Sequence, residues 1–194
     1  IPGLQRLTID HYSQEIEAQP ISIDQEIKKS YENDIYTFTG TLIHNYYKLI
    51  IKNQLDIKEI LSKKLDFIKS LFDDNGFKPS EIKEALEVVN NSLNSLLNSK
   101  HGKWIYQLYQ DDIMEAEYLF DEENTYEKRI PDRTFIHDNK RWIVDYKVAF
   151  HDKNLNLEAK KHTAQLKQYE ELFDDKYQIQ KAIYFTAQGY LVLL

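Results

Sequence analysis

The hydrophobic period of this chain changes once, near residue 110, and the change decides what it can fold into. Before it, Ile35, Phe38, Leu42, Ile43, Tyr46, Tyr47 and Ile50 recur at spacings of three and four, the mark of a helix with one buried face. Helical signals begin at Asn33 or Asp34. A second helix is predicted from Asp56 to Phe72, on the stripe Ile57, Ile60, Leu61, Leu65, Ile68 and Leu71, and Asn75-Gly76 ends it. Pro79-Ser80 opens a third, with Ser80 as its N-cap and Ile82, Leu86, Val89, Leu93, Leu96 and Leu97 on its apolar face. Gly102 marks its end or a break, and an aromatic stretch from Trp104 to Tyr109 follows. Gly40 lies inside the first helix at a cost of about 1 kcal/mol relative to Ala, which fits a close backbone approach.

After residue 110 the period shortens. Ile113 to Phe120 and Tyr126 to Ile136 read as extended, His137-Asp138-Asn139-Lys140 as a turn, and Arg141 to Val148, with Trp142, Ile143, Val144 and Tyr146, as a strand. The runs on either side of that turn form a predicted hairpin. Glu158 to Phe173 reads as a helix, and Ala182 to Thr186 and Tyr190 to Leu194 as strands around Gln188-Gly189. The fold class is α/β. Residues 1–33 form an irregular leading segment containing Pro2, Gly3 and Pro20, and residues 34–194 a single domain, mainly helical over 34–110 and α/β over 111–194. The start at Ile1-Pro2-Gly3, without Met, suggests a segment of a longer protein.

Composition removes several kinds of chemistry. There is no cysteine, so zinc–thiolate sites, iron–sulfur clusters held by the chain, disulfides and thiol nucleophiles are excluded. A metal would be held by oxygen and imidazole, which favours Mg²⁺, Mn²⁺ or Ca²⁺ over Zn²⁺. No Gly-x-x-x-x-Gly-Lys-Ser/Thr loop occurs, so no NTPase phosphate cradle is recognisable. No stretch is long enough for a membrane span, and no signal-peptide pattern opens the chain. The net charge of -7 and pI of about 5.4 argue against a dedicated nucleic-acid-binding module, which is usually basic.

The chemistry concentrates in Pro131-Asp132 and Asp145-Tyr146-Lys147. Strand alternation puts Asp145 and Lys147 on one face and turns Tyr146 away. Asp132, on the partner strand of the hairpin, can meet Asp145 there. Asp-x-Lys alone is commonly a solvated pair, but Trp142-Ile143-Val144 leads into it as a buried-type run, and a charge entering a core needs a partner or a metal. Two carboxylates and an ammonium suit phosphodiester hydrolysis. The carboxylates hold a hard divalent cation, the cation acidifies a water and neutralises phosphate charge, and Lys147 orients the water or stabilises the transition state. The Tyr146 backbone carbonyl can add a ligand.

Together with Gln165-Leu166-Lys167-Gln168-Tyr169, these residues resemble the nuclease domains of the RecB family, a branch of the PD-(D/E)XK superfamily. The resemblance covers roughly residues 38–194 and implies a restriction-endonuclease-like core, a mixed sheet flanked by helices. It implies that Gln165 and Tyr169, four apart on one helical face, look into the site. Gly40-Thr41-Leu42-Ile43-His44 matches the family's helix with a metal-ligating His. Glu117 matches its acidic position before Pro-Asp, with Glu115 as competitor. The catalytic set implied is thus Asp132, Asp145, Lys147, Glu117, Gln165 and Tyr169, and the metal set His44, Asp132, Asp145 and the Tyr146 carbonyl. The chain departs from the family at Arg129-Ile130-Pro131, where a small residue is usual, and at Val148, where Thr or Ser is.

The resemblance implies a Mg²⁺-dependent deoxyribonuclease, with Mn²⁺ as a substitute. Without cysteine, the chain is closest in kind to the C-terminal nuclease domain of RecB- or AddA-type UvrD-like helicase–nucleases, which act in bacterial cytoplasm in DNA end processing and recombinational repair. Its partners would be single-stranded DNA or duplex ends, a helicase motor in the same polypeptide and a second helicase–nuclease subunit. DNA held by other domains accommodates the acidic charge. Arg133, Lys153, Lys160 and Lys161 are the candidate phosphate contacts. Two other readings are an inert nuclease-fold module that guides DNA or binds protein, and a stand-alone restriction or junction-resolving enzyme.

Overall fold

The computed structural model describes residues 34–122, 125–149, 154–174 and 176–194; Lys153 and the leading segment 1–33 lie outside them. The helical half comprises α1 (Ile35–Asn53), α2 (Ile57–Lys63), α3 (Leu65–Asp74), α4 (Pro79–Asn98) and α5 (Lys100–Tyr106). It is followed by β1 (Gln110–Met114), β2 (Tyr118–Glu122), β3 (Thr125–Arg129), β4 (Arg133–His137), β5 (Lys140–Lys147), α6 (Leu155–Lys160), α7 (Thr163–Glu170), β6 (Gln178–Phe185) and β7 (Tyr190–Leu193). β1, β4, β5, β6 and β7 form a five-stranded mixed sheet in that order, and β2–β3 a separate two-stranded ribbon. Only β5 and β6 pair in parallel; the other neighbours are antiparallel. The α/β class and the helical first half are as the periodicity predicts. Among the described residues no helix is long and apolar enough to cross a membrane.

The central strand separates two cores. Val144 and Tyr146 turn toward the helices of the first half, where they join Phe38, Leu42, Tyr46, Tyr47, Ile50, Phe135 and Tyr184. Ile143, on the other face, packs with Leu166, Tyr169, Ile183 and Phe185 under α6 and α7. Period-two alternation in β5 therefore assigns each residue to a layer. Asp145 and Lys147 belong to the α7 side.

Several predicted runs are divided, each for a local reason. The helix expected over Asp56 to Phe72 breaks at Lys64 (φ -111°, ψ -6°). Ile60 and Ile68 are both buried, yet eight residues at about 100° each would rotate one some 80° from the other on a straight helix. The break re-aims both at the same core. Pro79 takes the first turn of α4 with Lys78 as N-cap, so Ser80 is not the cap. The Glu81 carboxylate instead accepts the Lys78 N–H at 3.0 Å. Gly102 falls inside α5, which Ser99 caps through its hydroxyl at 2.7 Å. A Cβ on Gly102 would collide with the Ser95 carbonyl, so the close approach expected at Gly40 occurs here. At Gly40 a Cβ would meet nothing within 4 Å among the described residues.

The extended run Ile113 to Phe120 becomes β1 and β2, divided at Glu115, whose φ of 50° takes it out of strand geometry. The run Tyr126 to Ile136 divides around Pro131, which has no N–H to offer a ladder. The helix over Glu158 to Phe173 divides at Lys161 and His162.

Arg133 is the largest correction. One position after Asp132, it turns to the opposite face and is fully buried (0% exposed). Its guanidinium forks onto both Asp112 carboxylate oxygens, donates to the Ile105 and Gln107 carbonyls, and stacks 4.8 Å from the Phe135 ring centroid. It pins β4 to the end of α5 and to β1 and cannot reach a phosphate. Arg133→Ala should strip Asp112 of its buried partner and cost about 3–5 kcal/mol in urea denaturation. An exposed phosphate contact would change stability by under about 0.5 kcal/mol.

Candidate active site

The site forms where β5 outruns β4. Arg133 pairs with Val144, so the register places Asp132, in the bend before β4, opposite Asp145. Beyond Val144 no strand among the described residues covers that edge of β5, and a side chain takes over. Asp132 Oδ2 accepts the Tyr146 N–H at 2.6 Å. On the other edge the Lys147 carbonyl accepts from Thr186 N–H at 2.9 Å. Backbone groups alternate along a strand, so the Tyr146 carbonyl turns to the Asp132 edge, as a ligand role requires.

Two helical layers complete the site. His44 reaches it from α1, its ring edge-on to Tyr146 at 5.8 Å between centroids and its Nδ1 3.3 Å from Asp132 Oδ1. Lys147 Nζ lies 2.9 Å from Asp145 Oδ2. This is an ion pair by distance, but its angles leave that buried oxygen without a well-formed hydrogen bond. From α7, Gln165 Nε2 donates to the Tyr169 hydroxyl at 2.8 Å. Burial raises the Tyr169 pKa, the Gln165 hydrogen bond opposes the rise, and the charges of Asp145 and Asp132 add to it.

Electrostatics separates the two acids. Burial pushes Asp132 up, but the charge and hydrogen bond of His44, the Tyr146 amide and Lys147 outweigh it, and its pKa falls below the usual carboxylate value. Asp145 is pushed up to about 6, first by burial and then by the charge of Asp132, with Lys147 and His44 opposing. Burial lowers His44, and Asp132 more than reverses this, leaving it raised. Asp145 is 2% exposed. A second carboxylate beside it and an oxygen short of a donor form a pocket of excess negative charge that a hard cation would relieve. Among the described residues no three His, Asp or Glu side chains stand ready as a metal cage. His44 and Asp132 are engaged with one another and Asp145 is paired with Lys147, and the oxygen-rich donor set fits magnesium or manganese better than zinc.

The remaining sequence candidates are placed as follows. Glu117 lies between β1 and β2, is 64% exposed and pairs with Lys128 at 2.6 Å. Its competitor Glu115 is tied to the site by a backbone bond from its N–H to the Asp132 carbonyl at 3.0 Å, while its carboxylate holds Lys48 at 2.7 Å. Lys160 is exposed, and Lys161 pairs with Glu158 at 2.7 Å. His162, next to them, has its pKa lowered by burial and by the charge of Lys147. Arg129, where the family carries small residues, is buried and donates to the Gln168 carbonyl at 2.9 Å and to Glu171. It moors the segment leading to Asp132 onto α7. Lys48 was missed by sequence reasoning, although its spacing of four from His44 was available.

The chain matches no family model. It matches no curated protein either. The functional reading therefore rests on the geometry above and on the resemblance of its motifs.

The raised Asp145 gives a signed prediction. The native state holds that proton more tightly than the unfolded chain. The penalty is therefore complete above about pH 6 and vanishes below the ordinary carboxylate range. In EDTA, Asp145→Asn should melt above wild type at pH 8, and the gap should close as pH falls from 6 toward 4. A gap that is constant with pH, or of opposite sign, would contradict this electrostatic reading.

Proposed function

We propose that this domain is a metal-dependent DNA nuclease with a PD-(D/E)XK core of the RecB type. The supporting observation is the convergence of His44, Asp132, Asp145 and Lys147 at one end of β5. Four residues from α1, the bend before β4 and β5 meet there. Such buried like charges are costly unless they serve a ligand.

Asp132, Asp145, His44 and the Tyr146 carbonyl would hold the cation, which when bound supplies Lewis-acid stabilisation of phosphate charge and an acidified water. The chain's own groups do the rest. Lys147, partly exposed and steered by Asp145, presents an ammonium to the water or to a phosphate oxygen. Tyr169 accepts a hydrogen bond from Gln165, so its own proton is free to donate to a phosphate oxygen. Its raised pKa keeps that proton in place. Asp132 stays ionised across the working range because His44 and the Tyr146 amide hold its charge.

The motif order and the absence of cysteine support the C-terminal nuclease domain of a helicase–nuclease that processes DNA ends, with the motor in the same polypeptide. The net charge of -7 favours a second reading, an inert nuclease-fold module that guides DNA or binds protein. Digestion of linear DNA separates the two. Asp145→Ala and Lys147→Ala should each abolish Mg²⁺- or Mn²⁺-dependent cleavage while keeping a cooperative melt. Tyr169→Phe should lower kcat by about 10-fold or more, as expected for loss of one donor to developing charge. Equal digestion by wild type and both abolishing variants, or none by any of them with either metal, would sink the nuclease reading.

A further inference from the structure

We propose that a cleft along α1 binds the nucleotide next to the scissile phosphate, with Lys48 and Lys52 holding the strand. Identifying the scissile phosphate rests on the nuclease reading above; the cleft itself does not. Lys48 and Lys52 follow His44 by four and eight residues. They therefore continue its helical face in steps of about 6 Å, away from the Asp132–Asp145 pair. With Leu108, Asp112, Ile113 and Met114 they line a cleft of about 390 Å³. That volume suits one small ligand and leaves room for an unpaired nucleotide but not a duplex.

The chemistry of the walls matches a nucleotide on both counts. Asp112 is already neutralised by the fork of Arg133, so it adds little repulsion. Lys52 forms no ion pair among the described residues and is exposed. Lys48 is held by Glu115, which is itself bonded through its backbone to the Asp132 carbonyl. A phosphate that displaces Glu115 from Lys48 would be one helical turn from His44. The opposite wall is apolar, formed by Leu108, which is 52% exposed, with Ile113 and Met114. The position of Lys52 in the last turn of α1 also suits the helix dipole, but that explains neither the cleft nor Leu108. A cationic rim facing an apolar wall, on the helix that carries His44, fits a single nucleic-acid strand, phosphate on the lysines and base on the aliphatic wall.

The test is fluorescence anisotropy with labelled oligo-dT and oligo-U, calcium replacing magnesium so that hydrolysis does not intervene. Lys52→Glu should weaken binding at least about threefold and reduce the salt slope by about one. Leu108→Ser should weaken binding without changing the slope. Lys69→Glu, on α3, is the control for net charge. Equal losses with both oligomers mean that the phosphate is read, and a loss confined to one means that the sugar or base contributes; either supports the cleft. Unchanged binding in Lys52→Glu, or an equal loss in Lys69→Glu, overturns it. Hydrolysis of bis-p-nitrophenyl phosphate, which carries no second phosphate for the lysines to hold, reads the reaction centre separately. Loss of oligomer binding in Lys52→Glu, together with no digestion of linear DNA by wild type, would keep the cleft and reject the nuclease reading.

Discussion

The structure depends on holding two carboxylates, Asp132 and Asp145, side by side where water is largely excluded. Neither is tolerable alone, because a buried ion without a partner costs several kcal/mol. The fold answers from three directions. His44 comes from a helix on one side of the sheet, Lys147 from the strand itself, and the Tyr146 amide from the edge that β4 leaves uncovered. The answer is incomplete at Asp145, whose carboxyl remains raised to about 6. Under the proposed reading, a bound cation would relieve that residual strain.

The surroundings keep this arrangement rigid. Arg133 locks the start of β4 from beneath, and Arg129 moors the approaching segment to α7. On the helical side, the Tyr47 hydroxyl donates to the Ser92 carbonyl at 2.7 Å, Ser95 meets the Tyr184 hydroxyl at 2.8 Å, and Ser92 meets Thr186 at 3.0 Å. These bonds tie α1, α4 and the end of β6 together through a satisfied buried network, which specifies one packing among many apolar alternatives. α1 is thereby fixed in rotation, and so is the face that carries His44.

Much of this was legible in the sequence, because local patterns state which face a residue takes. Period-two alternation put Asp145 and Lys147 together, and period-3.6 spacing put His44 on the first helix and Gln165 beside Tyr169. Facts that depend on non-local geometry were not legible. Arg133 looked like a surface cation, and only the register, one residue past Asp132, turns it into the core. Glu117 read as the better acid on a continuous strand, but the left-handed Glu115 ends that strand. Ser92 and Ser95 gave no signal within an apolar helical face, since their partners lie about 90 residues away in sequence. Lys48 and Lys52 carried no signal of their own in the sequence, because the other wall of their cleft comes from β1.

The most direct test of the central claim is a crystal structure of the protein soaked in Mn²⁺, with the ion located by its anomalous scattering. The account predicts one peak within coordination distance of Asp132 and Asp145, with the Tyr146 carbonyl as a ligand and His44 released from its bond to Asp132. Full Mn²⁺ occupancy elsewhere on the chain, or none at all in crystals whose lattice leaves the approach to Asp132 and Asp145 uncovered, would contradict it.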